Sequence, residues 1–381
     1  MNHLRSGPDH MGLYIHIPFC QSKCHYCGFF SKKGSPDQMQ QLVQAELTEL
    51  DRRCMQNQAQ TVYIGGGSPT CLPPDLLFML IQAVTDTQNR VVEFTVECNP
   101  GQVTQDLLFK LRTLGVNRIS IGAQSFDAME LRALGRTHTP DQINLAVHHA
   151  RAAGFKNISL DLIFALCGST QPTWEKTLAC ALRLEPTHVS AYSLTIEDDT
   201  PLAHAVNAGK AAPVNDEQNR AQYEYAINRL ERSGLKQYEI SNFALEGHEC
   251  LHNLGYWQNR PFIGIGPAAA SYWQDTRTTN LAHVDRYIEA IDHRHSAVSE
   301  HIRSDSESIL CETAVLNLRT RYGIDIKAFH KTTGQDIMRI FAEPIERYRA
   351  LGLLAWDQKR LCLTPAALPI ADSILCDFAS L

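Results

Sequence analysis

Three cysteines in the spacing C-x3-C-x2-C could hold a metal ion or a metal cluster: Cys20, Cys24 and Cys27. Thiolates are ligands of choice for both zinc and iron–sulfur clusters, so the spacing leaves both open. A structural zinc site would need a fourth protein ligand, for which His16, His25 or a remote cysteine is available. A cubane cluster on three cysteines instead leaves one iron open, and that iron could chelate a small molecule carrying an amine and a carboxylate.

Other polar or flexible residues stand where predicted strands end. Gly65–Gly67 follow a short strand directly, and glycines there let backbone N–H groups approach a ligand, although a tight turn is the alternative. Glu97, Gln124 and Asp161 offer hydrogen-bond acceptors and donors at neighbouring strand ends, suited to ribose hydroxyls and an amine. Arg136 could bind a carboxylate through two hydrogen bonds. For each of these four, a structural salt bridge or cap is the competing interpretation.

The elements that carry these residues alternate between strand and helix at least six times, from Leu13 to Leu194. This pattern predicts an α/β fold with a parallel sheet, a partial (β/α)6 TIM-like barrel. Carboxyl ends of parallel barrel strands lie on one face. The cysteines, the glycines and the strand-end polar residues are therefore expected to meet at that rim.

After residue 280 the alternation of strands and helices gives way to helices followed by a hairpin. Helical periodicity predicts helices near 283–292, 305–319 and 335–350, and a hairpin follows within 352–363. We predict an N-terminal extension over 1–11, the barrel over 12–280, and a C-terminal helical or winged-helix-like domain over 281–381. Winged-helix modules often bind DNA, but this one has no basic stripe with aromatic residues, so a lid or docking domain is favoured.

Composition narrows the class of protein. The 381 residues carry a net charge of −6, which argues against non-specific nucleic-acid binding. No apolar run approaches the roughly 18 residues of a membrane span, and the first residues contain no signal core, so we expect a cytoplasmic protein with at most peripheral membrane contact. Seven isolated cysteines are interpreted as small buried hydrophobic residues: Cys54, Cys71, Cys98, Cys180, Cys311, Cys362 and Cys376.

Several motifs in order resemble the radical S-adenosylmethionine (SAM) superfamily and, within it, the coproporphyrinogen-oxidase-like branch. The resemblance covers about residues 12–275 and continues more loosely to the C-terminus. The motifs are Tyr14–Cys27, Gly65–Thr70, Glu97–Gly101, Asn117–Phe126, Leu134–His138, Asp161–Phe164, Tyr192–Glu197 and Tyr238–Phe243.

The resemblance implies a fold, a cluster and a cofactor. It implies a radical SAM barrel whose 4Fe–4S cluster is held by Cys20, Cys24 and Cys27, with SAM on the fourth iron. In such proteins an electron from the cluster can cleave SAM to a 5′-deoxyadenosyl radical. The residues that match the cofactor-binding motifs are Tyr14, Gly66, Gly67, Ser68, Glu97, Gln124, Arg136 and Asp161.

Two positions separate the groups within this branch. The oxidases carry a further cysteine two residues after the third, where this chain has Phe29. Heme chaperones of the HemW type lack that cysteine and carry a His-Asn-x-x-Tyr-Trp motif, which is matched within Cys250–Trp257. His252 is therefore a candidate ligand of heme iron. The competing interpretation is a histidine that packs with two aromatic residues under the barrel rim.

The resemblance thus implies a heme chaperone that passes heme to an acceptor hemoprotein, expected to be one of respiration, and is compatible with a homodimer. The rival hypothesis is oxidative decarboxylation of coproporphyrinogen III, and a third is a scaffold that binds a cluster but no heme. Five residues depart from the family motifs and bear on the fine geometry of cofactor binding: Gly28, Ala165, Cys167, Ala268 and Ala270.

Overall fold

The computed structural model describes residues 11–54 and 58–381. Apart from Met11, the predicted N-terminal extension lies outside the described residues. The first part alternates strands and helices: β1 (Met11–Ile17), α1 (Pro36–Cys54), β2 (Ala59–Gly66), α2 (Pro74–Thr87), β3 (Glu93–Cys98), α3 (Gln105–Thr113), β4 (Arg118–Gln124), α4 (Ala128–Ala133), α5 (Pro140–Ala152), β5 (Asn157–Phe164), α6 (Gln171–Arg183) and β6 (His188–Ser193). β1 to β6 pair in chain order and all run parallel, which confirms the predicted α/β partial barrel.

Antiparallel strands extend both edges of this barrel. The added elements are α7 (Pro201–Asn207), α8 (Asp216–Arg232), β7 (Lys236–Gln237), β8 (Asn242–Ala244), α9 (Leu251–Trp257), β9 (Phe262–Ile265), β10 (Ala270–Trp273), β11 (Thr276–Asn280), α10 (Val284–Asp292) and β12 (Val298–Arg303). β9 pairs parallel to β1, whereas β10 to β12 continue the sheet antiparallel, and β8 and β7 follow β6 at the other edge.

Side chains alternate between two environments along the parallel strands. On β4, Ile119 and Ile121 lie in the main hydrophobic core, while Arg118 and Ser120 on the other face line a cavity. The core contains the outward-facing strand residues together with apolar stripes of the helices, such as Leu42 of α1. The barrel therefore has an apolar outer face under its helices and a polar inner face.

A second core belongs to the C-terminal domain. Its elements are α11 (Ser306–Leu318), β13 (Ile324–Asp325), α12 (Ile326–Thr333), α13 (Ile337–Ile340), α14 (Ala342–Ala350), β14 (Leu354–Trp356), β15 (Arg360–Leu363) and α15 (Ala371–Cys376). The three strands form an antiparallel sheet in the order β13-β15-β14, so the predicted hairpin is confirmed. The helix predicted over 335–350 is wrong as a single element, because Phe341 leaves helical geometry to place its ring in this core against Phe378.

The predicted division at residue 281 stays a prediction. Because α10 contributes to the barrel core and β12 pairs in the large sheet, we propose a boundary between Arg303 and Ser306. The twelve cysteines are all free. Of the seven isolated ones predicted to be buried, three are buried (Cys54, Cys98 and Cys311), three are half-buried (Cys71, Cys180 and Cys362), and Cys376 is exposed, so the prediction is wrong for Cys376 and only partly right for the half-buried three. Over residues 11–54 and 58–381, no helix is long and apolar enough to cross a membrane.

Two alanines stand where the resembling motifs have glycine, and both adopt left-handed backbone. Ala268 has a φ of 59° and Ala165 a φ of 57°. A Cβ in this region costs about 1–2 kcal/mol. We expect Ala268→Gly to raise the free energy of unfolding by about 1 kcal/mol, because relief of strain exceeds the added entropy of the unfolded chain. Urea denaturation would measure this change.

A neighbouring alanine provides the control. Ala270 begins β10, is exposed and is not among the residues with positive φ. Ala270→Gly is therefore expected to lower stability by about 0.5–1 kcal/mol. Equal destabilisation by both substitutions would show that strain at Ala268 is not the deciding effect.

Candidate functional site

One cavity of about 610 Å³ opens at the carboxyl ends of the barrel strands. It brings together all three motif cysteines and every predicted SAM-binding residue except Tyr14. Most of these residues come from separate strand ends and loops, as the parallel topology requires. Asp161 was predicted at a strand end but lies within β5, where it pairs with Ser190 and points into the cavity. The shared set is Cys20, Cys24, Cys27, Gly66, Gly67, Ser68, Glu97, Gln124, Arg136 and Asp161.

Backbone hydrogen bonds hold the cysteine loop over this cavity. The Cys20 N–H donates to the carbonyl of Lys32, and the Lys32 N–H donates to Pro18, which closes the loop after β1. At the far side, the His25 N–H donates to Leu134, and the His25 ring bonds the carbonyl of Ala133. The loop is thus fixed at its base and at the α4 end, with the three thiols half-buried between these points.

The glycine turn after β2 packs directly beneath the loop. Gly66 has a φ of 109°, a conformation that favours glycine. A Cβ on Gly67 would lie 2.7 Å from the carbonyl oxygen of Phe19 and 3.0 Å from the Cys20 Sγ. Ser68 donates its N–H to the same carbonyl of Phe19, so the two loops are joined. The first cysteine is therefore positioned by the glycine turn.

The surroundings of the thiols suit a cluster. Burial raises the pKa of Cys20 to about 11 and also raises the pKa of Cys27, so bound metal must displace their protons. Arg136 places Nη1 3.5 Å from the Cys24 Sγ, and its buried Nε has no partner among the described residues. Nor do any three described His, Cys, Asp or Glu side chains converge as ligands of a single ion. A 4Fe–4S cluster does not require three ligands to converge on one ion, because each thiolate binds a different iron.

Two buried carboxylates face the cavity below the cysteines. Asp161 accepts hydrogen bonds from the hydroxyls of Ser120, Ser159 and Ser190, at 2.7–3.3 Å. Glu97 accepts one from the Tyr63 hydroxyl at 2.8 Å and one from the Gly66 N–H at 3.2 Å. Burial raises the pKa of both, that of Glu97 to about 7, and the charge of Asp161 adds to the effect on Glu97.

This shift predicts a pH dependence of stability in the absence of cofactor. The folded protein retains the Glu97 proton to about pH 7, whereas the unfolded chain releases it near 4.5. Stability from this group is therefore fully present below pH 4.5 and is lost as pH rises to about 7. A rise in the pKa of Glu97 from 4.5 to about 7 corresponds to about 3 kcal/mol.

Glu97→Gln should remove this loss of stability at high pH, because glutamine does not ionise. The free energy of unfolding of Glu97→Gln, relative to that of the unsubstituted protein, should therefore increase from pH 5 to pH 8. Urea denaturation at both values would measure it. Glu185→Gln, on an exposed side chain, should leave the pH dependence unchanged. Parallel curves for the unsubstituted protein and Glu97→Gln would contradict the assignment.

Arg118 lines the cavity but was missed by the sequence-based prediction. It is 2% exposed, and its Nε lacks a hydrogen-bond partner among the described residues. Burial alone lowers the pKa of Arg118, but Cys250 and Glu93 nearby outweigh it and raise the pKa. Its positive charge also lowers the pKa of both Asp161 and Glu97. The signal was the alternation of Arg118 and Ser120 with apolar residues along β4.

His252 lies at the opposite end of the barrel from the cysteines. Its ring approaches Gly12 and Thr61, near the starts of β1 and β2. Glu93, which begins β3, accepts hydrogen bonds from the N–H groups of Leu251 and His252 and so caps α9. The predicted heme ligand and the predicted cluster therefore occupy different ends.

Both ring nitrogens of His252 are engaged within the protein. Nδ1 lies 2.9 Å from the Thr61 hydroxyl, and Nε2 lies 2.8 Å from the Tyr256 hydroxyl. The ring is 2% exposed and stacks on Tyr63, with centroids 5.3 Å apart. Burial lowers the pKa of His252 to about 3, so the imidazole is neutral. Iron ligation by His252 would require one of these hydrogen bonds to open.

Tyr14 is the remaining predicted cofactor residue, and it lies beside the cavity wall. Its hydroxyl is 2.9 Å from the His16 Nδ1, and its ring packs near Tyr63. Its role in SAM binding stays a prediction.

Comparisons with known proteins agree with this geometry. Residues 14–181 match the radical SAM superfamily, and residues 305–370 match the HemN C-terminal domain. The heme chaperone HemW of Bacillus subtilis is 34% identical over 92% of this chain and 94% of its own. HemW of Lactococcus lactis is 32% identical over 95% of both chains. The chain belongs to the HemW family.

The fold of this HemW family member also matches a solved structure. Coproporphyrinogen III oxidase (HemN) from Escherichia coli superposes with a TM-score of 0.84, covering 98% of this chain and 91% of that one, at 22% identity. At this identity the likeness establishes the fold alone: a radical SAM barrel followed by a C-terminal helical domain. The superfamily implies a 4Fe–4S cluster and SAM.

Two positions in the cysteine loop of this HemW family member stand out in the structure. Phe29 is 71% exposed and lines the cavity. A Cβ on Gly28 would lie 2.9 Å from the Glu197 Cγ, so the glycine leaves room for that side chain over the loop. A carboxylate at position 28 would lie against Glu197.

Proposed function

We propose that this protein is a heme chaperone that binds heme and transfers it to an acceptor hemoprotein. It carries a 4Fe–4S cluster on Cys20, Cys24 and Cys27 and an exchangeable SAM. The observation that supports this most is membership of the HemW family together with an exposed phenyl ring, Phe29, in place of a fourth loop thiol. The proposal favours cargo transfer over oxidation of a porphyrinogen.

The residues around the cavity fit the cluster and SAM. Three half-buried thiols face one space, and the glycine turn keeps that space free of side chains beside Cys20. Arg136 supplies a cation beside Cys24 and a guanidinium for a carboxylate. Glu97 and Asp161 supply acceptors for hydroxyl or amine groups, and Gln124 lines the same wall. When bound, such a cluster supplies an open iron for an amine and a carboxylate, and an electron.

The heme cargo is proposed to use His252. The buried, neutral imidazole is in the protonation state that metal binding requires. Its hydrogen bonds to Thr61 and Tyr256 occupy both ring nitrogens, a state we call closed. One of these hydrogen bonds must break before a nitrogen can bind iron. We therefore propose heme uptake at the end of the barrel opposite the cluster.

Protein reconstituted anaerobically with iron and sulfide provides the test. Hemin is titrated and the Soret band followed, and the same sample is offered coproporphyrinogen III with SAM and a reductant. Saturable heme binding without turnover is expected. Conversion to protoporphyrinogen would overturn the chaperone proposal in favour of the oxidase, and neither binding nor turnover would favour a cluster scaffold without cargo.

Single substitutions test the assigned ligands. Cys20→Ser, Cys24→Ser and Cys27→Ser should each abolish the brown chromophore, while Cys376→Ser on the exposed surface should keep it. His252→Ala should weaken heme binding and leave cluster content unchanged. Cluster iron that survives all three loop substitutions would contradict the ligand assignment.

The remaining partner assignments belong to the same proposal. We propose a cytoplasmic protein whose acceptor is a respiratory hemoprotein and which forms a homodimer when the cluster assembles. The net charge of −6 supports the absence of a nucleic-acid partner. Membrane contact, where the acceptor is membrane-bound, would be peripheral.

A further inference from the structure

Tyr63 contacts both predicted binding regions. It lies on β2, with its hydroxyl donating to Glu97 Oε1 at 2.8 Å in the cavity. The ring of the same residue stacks on His252 at the opposite end of the barrel, with an interplanar angle of 29°. No motif singled out this tyrosine. It links the candidate cofactor site to the candidate heme ligand by direct contact on both sides.

The Glu97 carboxylate has both oxygens engaged. Oε1 accepts from Tyr63 and Oε2 from the Gly66 N–H. A hydroxyl group of a bound nucleoside that donates to Glu97 Oε1 shares that oxygen with the Tyr63 hydroxyl, and so weakens or displaces the hydrogen bond from Tyr63. A Tyr63 hydroxyl displaced in this way is free to turn, because it has no other hydrogen bond among the described residues.

At the other end, His252 is held in a closed state. Thr61 and Tyr256 engage its nitrogens, and the Tyr63 ring covers one face of the imidazole. For His252 to bind iron, its ring must lose the stacking contact with Tyr63 and one of its two hydrogen bonds. The Glu97 hydrogen bond fixes the Tyr63 ring in the position that covers His252, so it stabilises the closed state.

We infer that Tyr63 is a positioning residue through which SAM binding at Glu97 releases His252 for heme. This inference rests on the proposed function, since it takes SAM and heme as the two ligands. SAM therefore raises the affinity for heme, and by linkage heme raises the affinity for SAM by the same factor. The closed and open positions of His252 are the two states that both ligands bias.

Tyr63→Phe separates the two contacts, because it keeps the aromatic ring and removes the hydroxyl that fixes this ring over His252. In the unsubstituted, cluster-loaded protein, SAM should lower the Kd for hemin about fivefold or more. Tyr63→Phe should bind hemin without SAM as tightly as the unsubstituted protein does with SAM, and SAM should add nothing. The Soret titration measures both affinities. Tyr223→Phe, which removes a hydroxyl bonded to Ile240 and Gln237 and does not line the cavity, should behave like the unsubstituted protein.

Hydrogen exchange of the α9 amides gives a second measurement that needs no heme. SAM should accelerate exchange over Leu251–Trp257 in the unsubstituted protein, and Tyr63→Phe should exchange at the faster rate throughout. Equal heme affinity with and without SAM, or a normal SAM response in Tyr63→Phe, would overturn the inference. Protein that binds no heme would refute the proposed function instead, and the exchange data would then decide the coupling alone.

Discussion

Replacing Gly67 by alanine is expected to reduce cluster incorporation by roughly ten- to hundredfold, which corresponds to the ~1–3 kcal/mol cost of overpacking a close-packed site. The new methyl would lie 2.7 Å from the carbonyl oxygen of Phe19, 3.0 Å from the carbonyl of Ile17 and 3.0 Å from the Cys20 Sγ. The turn cannot simply move away, because the Gly67 N–H donates to that same carbonyl of Ile17. The loop must shift, and Cys20 shifts with it.

Iron and sulfide content after anaerobic reconstitution would measure this loss, and circular dichroism would verify that the variant folds. Gly101→Ala is the matched control, because a Cβ there meets its nearest neighbours at 3.6 Å, an ordinary contact distance. A Gly67→Ala protein with full cluster content would show that the glycine turn does not position Cys20.

Replacing Arg118 by methionine is expected to lower the free energy of unfolding by about 3 kcal/mol, because buried acidic groups are left without their countercharge. Methionine keeps much of the side-chain volume of this 2%-exposed residue, so the effect reports charge more than packing. The pKa of Asp161 and that of Glu97 should both rise, since the charge of Arg118 lowers them in the folded protein. Urea denaturation at pH 7.5 would measure the stability.

The double variant Arg118→Met with Asp161→Asn distinguishes charge from packing. It should recover part of the lost stability, because Asp161→Asn removes one uncompensated carboxylate. If Arg118→Met fails to fold, recovery of a folded double variant carries the same information. Destabilisation that is equal in the single and double variants would contradict the charge argument.

The cluster loop and its partners followed from the sequence alone. Cys20, Gly66 and Glu97 each stand at or just after the end of a strand, and the carboxyl ends of parallel strands share one face. Asp161, also predicted at a strand end, instead lies within β5. Their meeting in one cavity is thus a consequence of topology, which strand–helix alternation determined. The absence of a fourth loop thiol was equally predictable, because the sequence gives the residue at position 29, Phe29, directly.

The inner face of the barrel was harder to predict. Alternation along β4 shows that Arg118 and Ile119 point to opposite sides, but it does not say which side is covered by helices. Only the closing of the sheet makes the face with Arg118 an interior, where it meets Glu97 and Asp161. The antiparallel strands at both edges were also left unassigned, since their pairing joins segments distant in sequence.

The sequence by itself determined that three thiols, a glycine turn and two acidic side chains would form one site, and it placed His252 in a motif that resembles one of heme chaperones. The tertiary structure alone decided that His252 lies at the far end of the barrel with both nitrogens engaged. The reason is that α9 is positioned by contacts with Glu93, Thr61 and Tyr63, which lie more than a hundred residues away along the chain. Local sequence patterns do not predict contacts at that separation.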